Sequence, residues 1–203
     1  VEEVLVKALG VRHIVVGHDF RFARDHGGSV TTLREHAPKR NYEVTEVPAF
    51  EVEGERVSSS LIREALERGD MERARRFLGR PYRMTGKVIH GAKLGRTLGY
   101  PTANLRLHRR ATPVAGVFAV RVSGSGLNRV AGVASLGTRP AVNGKELLLE
   151  AHIFDFSADL YRSYLHVDFI ERLRDELWFP DMNTLVGQIH KDAERAREIL
   201  AIH

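Results

Sequence analysis

The chain has 203 residues, 31 Lys plus Arg against 26 Asp plus Glu, a net charge of +5 and no cysteine. Hydrophobic residues at 43% and charged residues at 28% are globular proportions, which exclude a chain too polar to bury a core. Without cysteine there is no disulfide scaffold, thiolate metal site or cysteine nucleophile, and no apolar run approaches the ~18 residues of a membrane span.

Glu2 to Leu9 puts Val4, Leu5, Ala8 and Leu9 on one helical stripe, and Gly10 ends it. His13–Gly17 is a short apolar run of the kind found in buried parallel strands. Residues 28–37 read as helix, and Tyr42–Val47 alternates like a strand that Pro48 closes. Helix, strand, helix, strand is the order of an α/β unit. Ser58-Ser59-Ser60 opens a helix through Arg68, Gly69-Asp70 breaks it, and a second helix runs from Met71 to Leu78.

The character changes after Gly79-Arg80-Pro81. Short β-branched segments separated by Gly, Pro and Asn run from Tyr82 to Phe169, most clearly at Gly116–Val122, Arg129–Ser135, Leu147–Phe154 and Leu165–Phe169. They predict a small antiparallel barrel or sandwich. A last helix runs from about Asn183 to Leu200, with Leu185, Ile189, Ala193, Ala196 and Leu200 on its apolar stripe and Asp181 or Asn183 as cap. The expected division is an α/β fragment over 1–79, then a small antiparallel β-barrel with a C-terminal helix over 80–203.

The positive balance fits an acidic partner such as nucleic acid, nucleotide or phospholipid. Much of it, however, lies in Arg/Glu helix faces such as Arg63–Arg68. There is no Walker A loop, no G-x-G-x-x-G and no H-E-x-x-H. The ten histidines are dispersed, so no zinc site is expected.

Gly91, Gly95 and Gly99 recur every four residues with Lys93 and Arg96 between them. Backbone without Cβ atoms can approach a ligand and turn its N–H groups toward an anion. Pro101 holds the next residues extended, so Thr102 and Asn104 project to one face. A hydroxyl and an amide oxygen side by side suit Mg²⁺ or a phosphate. A glycine-rich hairpin with a polar exit is the plainer alternative. Glu150 lies in the apolar strand Leu147–Phe154. A carboxylate there costs free energy unless it is paired or in use, and partial desolvation suits a general base. Alternation with His152 and Phe154 allows instead a simply solvated face. Arg172–Glu176, followed by Trp178-Phe179-Pro180, reads as a mobile basic loop beside aromatics, or as a charged turn into the last helix.

These pieces occur together in one family. Gly95-Arg96-Thr97-Leu98-Gly99-Tyr100-Pro101-Thr102-Ala103-Asn104 closely resembles the G-R-x-L-G-[FY]-P-T-A-N signature of riboflavin kinases. Gly116–Val120, Leu149–Phe156, Asp159-Leu160-Tyr161, Leu173–Glu176, Phe179 and Leu185–Asp192 follow in the family's order. Upstream, Gly17–Phe22 resembles the G-x-D-F-x-F motif, and Val57–Arg63 the I-S-S-[ST]-x-I-R motif, of bacterial bifunctional riboflavin kinase/FMN adenylyltransferases. The family's H-x-G-H phosphate-binding segment has no match. With the absent starting methionine, this predicts a chain that begins inside the adenylyltransferase domain, behind no signal peptide. Ala23 stands where the family usually has glycine, Ala141 where threonine is usual, and Arg162 where glycine is usual.

The resemblance implies transfer of the γ-phosphoryl group of ATP to the terminal ribityl hydroxyl of riboflavin, giving FMN. Glu150 would be the general base, and Thr102 and Asn104 would organise Mg²⁺ and the phosphates. Gly91, Lys93, Gly95, Arg96, Gly99 and Pro101 would lie on the loop over ATP, and Arg174 on the loop over the flavin. Asp19, Ser58, Ser59 and Arg63 would be part of an adenylyltransferase site, and this chain alone would not make FAD. The implied partners are small molecules in the cytoplasm, with no nucleic acid and no membrane. Two other readings are a flavin-binding module without catalysis and a basic barrel that binds nucleic acid. Intact Pro101–Asn104 and Glu150 oppose the first. An aromatic content of 7% opposes the second, which needs stacking platforms.

Overall fold

The computed structural model describes residues 1–201 apart from 92, 93, 108, 110, 142 and 143, and gives the backbone alone at 94, 96, 139–141 and 144–146. The chain divides between Val57 and Ser58 into two units.

The first unit begins with a wide helical turn, Glu2–Ala8. Its bonds skip five residues, as from Leu9 N to Val4 O at 3.0 Å, the π-type spacing. Gly10 follows at φ +59°. The elements are then β1 (His13–Gly17), β2 (Arg21–Phe22), β3 (Gly28–Ser29), α1 (Val30–Arg40), β4 (Glu43–Val47), β5 (Glu51–Val52) and β6 (Glu55–Arg56). β1 and β4 pair in parallel, with Ile14 opposite Val44. Ser29 caps α1 by accepting from Thr32 N, and Asn41 ends it in the left-handed conformation. The buried Tyr42 donates its hydroxyl to Leu33 O at 2.8 Å and ties helix to strand.

The second unit opens with α2 (Ser59–Arg68) and α3 (Met71–Leu78). Ser58 caps α2 through Leu61 N, and Asp70 caps α3 through Arg73 N. The strands are β7 (Tyr82–Ile89), β8 (Ala103–Arg106), β9 (Gly116–Gly124), β10 (Leu127–Ala141), β11 (Gly144–Ile153) and β12 (Tyr164–Arg174), with a short α4 (Leu94–Thr97) between β7 and β8. They close into a barrel in the order β10-β11-β8-β7-β12-β9, every pair antiparallel. Closure leaves no sheet edge to protect.

The barrel interior holds Met84, Leu105, Phe118, Val120, Leu149 and Phe169, with Phe118 and Phe169 edge to face at 5.1 Å. Ala65, Leu66, Met71 and Ala74 of α2 and α3 belong to the same buried cluster. This shared core places the helix pair in one compact unit with the barrel.

α5 (Met182–Ala201) starts at Asp181, which accepts from Thr184 N at 2.8 Å. Its stripe has two halves. Ala193, Ala196, Ile199 and Leu200 pack with Ala119 and Phe154 on the outside of the barrel. Leu185 and Ile189 instead face a cavity.

Candidate active site

Alternation along β11 builds the floor of the site. Leu147, Leu149, Ala151 and Ile153 point into the barrel and are buried. Leu148, Glu150 and His152 point outward and line a cavity of about 490 Å³. Pairing sets Glu150 directly opposite Ser135 of β10 on one side and Asn104 of β8 on the other. All three residues line the cavity, so hydroxyl, carboxylate and amide form one row across three strands. Leu149 and Ala151 on either side of Glu150 are fully buried, which anchors its backbone.

The glycine-rich segment enters from β7. Tyr100 N and Leu98 N both donate to Gly95 O, at 2.8 and 3.2 Å, and Gly99 turns at φ +83°. Gly91 lies against Asn104: a Cβ there would stand 2.5 Å from Asn104 Cγ. Gly95, Thr102 and Asn104 reach the cavity. Lys93 lies outside the described residues, as do the side chains of Arg96 and Ala141.

Thr102 also lines a second cavity of about 560 Å³, whose walls include Val88, Pro101, Phe156 and Tyr161. The two cavities therefore meet at Thr102. His90 packs on Tyr161 with ring centroids 3.9 Å apart.

The segment expected as a loop at Arg172–Glu176 is strand up to Arg174. Arg174 does not reach freely over a ligand. Its guanidinium holds the carboxylate of Asp192 on α5 through Nε (3.0 Å) and Nη2 (2.7 Å), and Nη1 donates to Asp175 O. Asp192 is 6% exposed and also accepts from Gln188 at 2.9 Å. Removing one member of such a buried pair costs about 3–5 kcal/mol, because the other charge stays buried. Arg174 still lines the first cavity, beside Phe179. Asp192 was not foreseen. Its sequence signals are its place at the end of the Leu185–Asp192 resemblance and on the apolar stripe of α5, where a carboxylate needs a partner.

Most of the remaining wall is apolar, from Leu98, Val117, Val133, Leu177, Leu185 and Ile189. An apolar slot with a few converging polar groups is the form of a small-molecule site. Among the described residues no three His, Asp or Glu gather as a metal cluster, and no helix is long and apolar enough to cross a membrane.

A riboflavin kinase family model matches residues 78–200. The chain belongs to the riboflavin kinase family. An FAD synthetase model matches residues 1–61. The bifunctional riboflavin kinase/FMN adenylyltransferase of Haemophilus influenzae is 43% identical over 200 residues, covering 97% of this chain and 64% of its own length. That of Escherichia coli K12 is 38% identical over 202 residues, covering 100% and 64%. The chain thus spans about 64% of the length of these relatives. A solved structure from Streptococcus pneumoniae, described as a macrolide-efflux protein, superposes with a TM-score of 0.76 at 36% identity, covering 95% of this chain and 62% of that one.

Two positions where glycine was the expected residue carry a visible cost. Ala23 sits at φ +65°, ψ 179°, a region open essentially to glycine alone. Arg162 sits at φ +67°, where a Cβ crowds the backbone. Both places impose a backbone conformation that favours glycine and that this chain meets under strain.

The residues that resemble an adenylyltransferase site are divided between the units. Asp19, in the first, is exposed and bonded by Arg56 at 2.5 Å; that guanidinium holds its carboxyl below the usual carboxylate range. In the second, Ser58 is the N-cap of α2, and Ser59 and Arg63 are exposed on the first turns of that helix.

Proposed function

We propose that the barrel unit transfers the γ-phosphoryl group of ATP to the ribityl hydroxyl of riboflavin, producing FMN. The observation that carries this reading is the outward row Ser135–Glu150–Asn104 beside Thr102, where two cavities meet. Phosphoryl transfer depends mainly on holding donor and acceptor in line and on neutralising charge. A flat, largely apolar heterocycle suits the first cavity, with its hydroxylated chain toward Glu150. The nucleotide suits the second, with its phosphates toward Thr102 and the glycine-rich segment. Glu150 then takes the proton of the attacking hydroxyl as it leaves oxygen. Membership of the riboflavin kinase family supports these roles.

Thr102 and Asn104 offer only neutral oxygen donors near one carboxylate. That donor set fits Mg²⁺, which keeps several waters and is bound largely through substrate phosphates. When bound, Mg²⁺ supplies charge neutralisation on the phosphates. The chain's own part is to hold the Thr102 hydroxyl and the Asn104 amide on one face, with Gly91 packed behind that amide.

We assign the first unit, with α2 and α3 up to Gly79, to the back part of an FMN adenylyltransferase-like domain. The motif resemblance of Asp19, and separately that of Ser58, Ser59 and Arg63, supports this assignment. The partners proposed are small molecules of the cytoplasm, where Mg-ATP is available. Purified chain incubated with riboflavin and Mg-ATP should form FMN and no FAD. Flavin binding without FMN would leave a non-catalytic module, and salt-sensitive oligonucleotide binding would favour the nucleic-acid reading.

A further inference from the structure

The step between the glycine-rich segment and Thr102 is gripped by two histidines. Tyr100 hydroxyl lies 3.0 Å from Nδ1 of His190 on α5, and His190 Nε2 lies 3.2 Å from Glu194. The His152 ring stands edge-on to Tyr100 with centroids 5.4 Å apart. His152 Nδ1 lies 2.9 Å from Pro101 O. A carbonyl oxygen only accepts, so Nδ1 carries the proton in this bond, whether the imidazole is neutral or charged. Proline has no N–H, so this carbonyl is the one backbone group Pro101 can offer. The next residue is Thr102.

We propose that His152 is a positioning residue. Through the Pro101 carbonyl it sets the backbone from which Thr102 and Asn104 project, while the Tyr100–His190 contact fastens the same step to α5. His152 and Glu150 share one face of β11, two residues apart. The strand that carries the base therefore also grips the segment that holds the nucleotide phosphates, and the distance between acceptor and donor is set by one rigid element. A misplacement of about 1 Å in such an alignment costs ~10²-fold in rate. The inference rests on the kinase reading and adds a residue to it.

The test uses the whole chain with riboflavin saturating and Mg-ATP varied, alongside calorimetric binding of Mg-ADP. His152→Ala should lose ~10–100-fold in kcat/KM for Mg-ATP, the usual effect of removing a group that orients a ligand-binding one. It should also weaken Mg-ADP binding. His152→Asn places an amide N–H where Nδ1 stood and should recover most of the loss. His152→Gln carries its amide one bond further and should not. Tyr100→Phe and His190→Ala should each cost several-fold, and the double variant no more than either, since they remove one contact. If wild type makes FMN while His152→Ala stays within two-fold of it, the proposal is overturned. Equal recovery by Asn and Gln overturns it as well. Should His152→Ala fail to fold, the Asn and Gln pair decides. If wild type makes no FMN, the kinase reading fails, and the Mg-ADP affinities of the same variants still decide the role of His152.

Discussion

Arg162→Gly should stabilise the barrel unit. Arg162 is exposed, yet its backbone is committed: its N donates to Val88 O at 3.1 Å, and Val88 N donates to Ser163 O at 2.8 Å. The turn into β12 is thereby laced to β7, and φ is held at +67°. A side chain with a Cβ pays about 1–2 kcal/mol there. Glycine removes that cost but gives back about 0.5–1 kcal/mol through the greater freedom of its unfolded chain. The net gain is about 0.5–1 kcal/mol, a rise of roughly 1–4 °C in Tm for a chain of this size. Urea unfolding followed by circular dichroism should show a higher midpoint with unchanged slope. Arg162→Ala is the control: it keeps the Cβ and should stay within about 0.5 kcal/mol of wild type. A gain in the alanine variant equal to that of glycine would assign the effect to the lost side chain. A lowered midpoint in the glycine variant would refute the conformational argument.

Glu150→Gln keeps the shape of the row and removes the base, so kcat for FMN formation should fall by ~10²–10⁴-fold with Mg-ATP binding little changed; normal turnover would remove Glu150 from that role. Gly91→Ala would drive a methyl group to 2.5 Å from Asn104 Cγ, displacing the amide; kcat/KM for Mg-ATP should drop ~10-fold or more with thermal stability close to wild type, and unchanged kinetics would show that the amide is not needed where it stands. Asp181 has its carboxyl lowered by the Thr184 backbone N–H and then the Thr184 hydroxyl. A lowered folded pKa contributes stability above the unfolded value of about 3.9 and loses it as pH falls through the folded one. The midpoint gap between wild type and Asp181→Ala should therefore be widest near neutrality and close below about pH 4, and a gap independent of pH would deny the charge any part in the cap.

The resemblance at Gly95–Asn104 and the alternation of β9 to β12 were legible because they are local. β7 was not singled out among the strands, for a reason visible in the packing. Its inward residues are Met84, Gly86 and Val88, and Gly86 breaks the β-branched pattern. A Cβ at Gly86 would stand 2.9 Å from Arg106 O, so close approach of β8 demands the glycine that hides the strand. The pairing of Arg174 with Asp192 was not legible because its partner is 18 residues away in sequence, and only the docking of α5 brings a carboxylate beneath it. The change in composition at Gly79 is legible in the sequence. That the helices before it share the barrel's core through Ala65, Leu66, Met71 and Ala74 is not, because it depends on burial between distant segments.

The two readings of Glu150, buried base or solvated face, turn on something no single strand contains. Alternation assigns Glu150 to the outside of the barrel, and an outside face is ordinarily wet. Here α5 covers it: Ala193, Ala196 and Ile199 close on the barrel wall next to Phe154, while Leu185 and Ile189 stop short and leave the cavity. One helix thus seals half of an outer face and roofs the other half. A strand presents its two faces independently: the outer face of β11 carries Glu150 and His152 to the first cavity, while the inner face packs the core and, at Ala151 and Ile153, walls the second. The polar row on the outside of the barrel therefore needs no hollow interior to house it. It needs the leucines behind it to fix it in place, and a helix long enough to roof it.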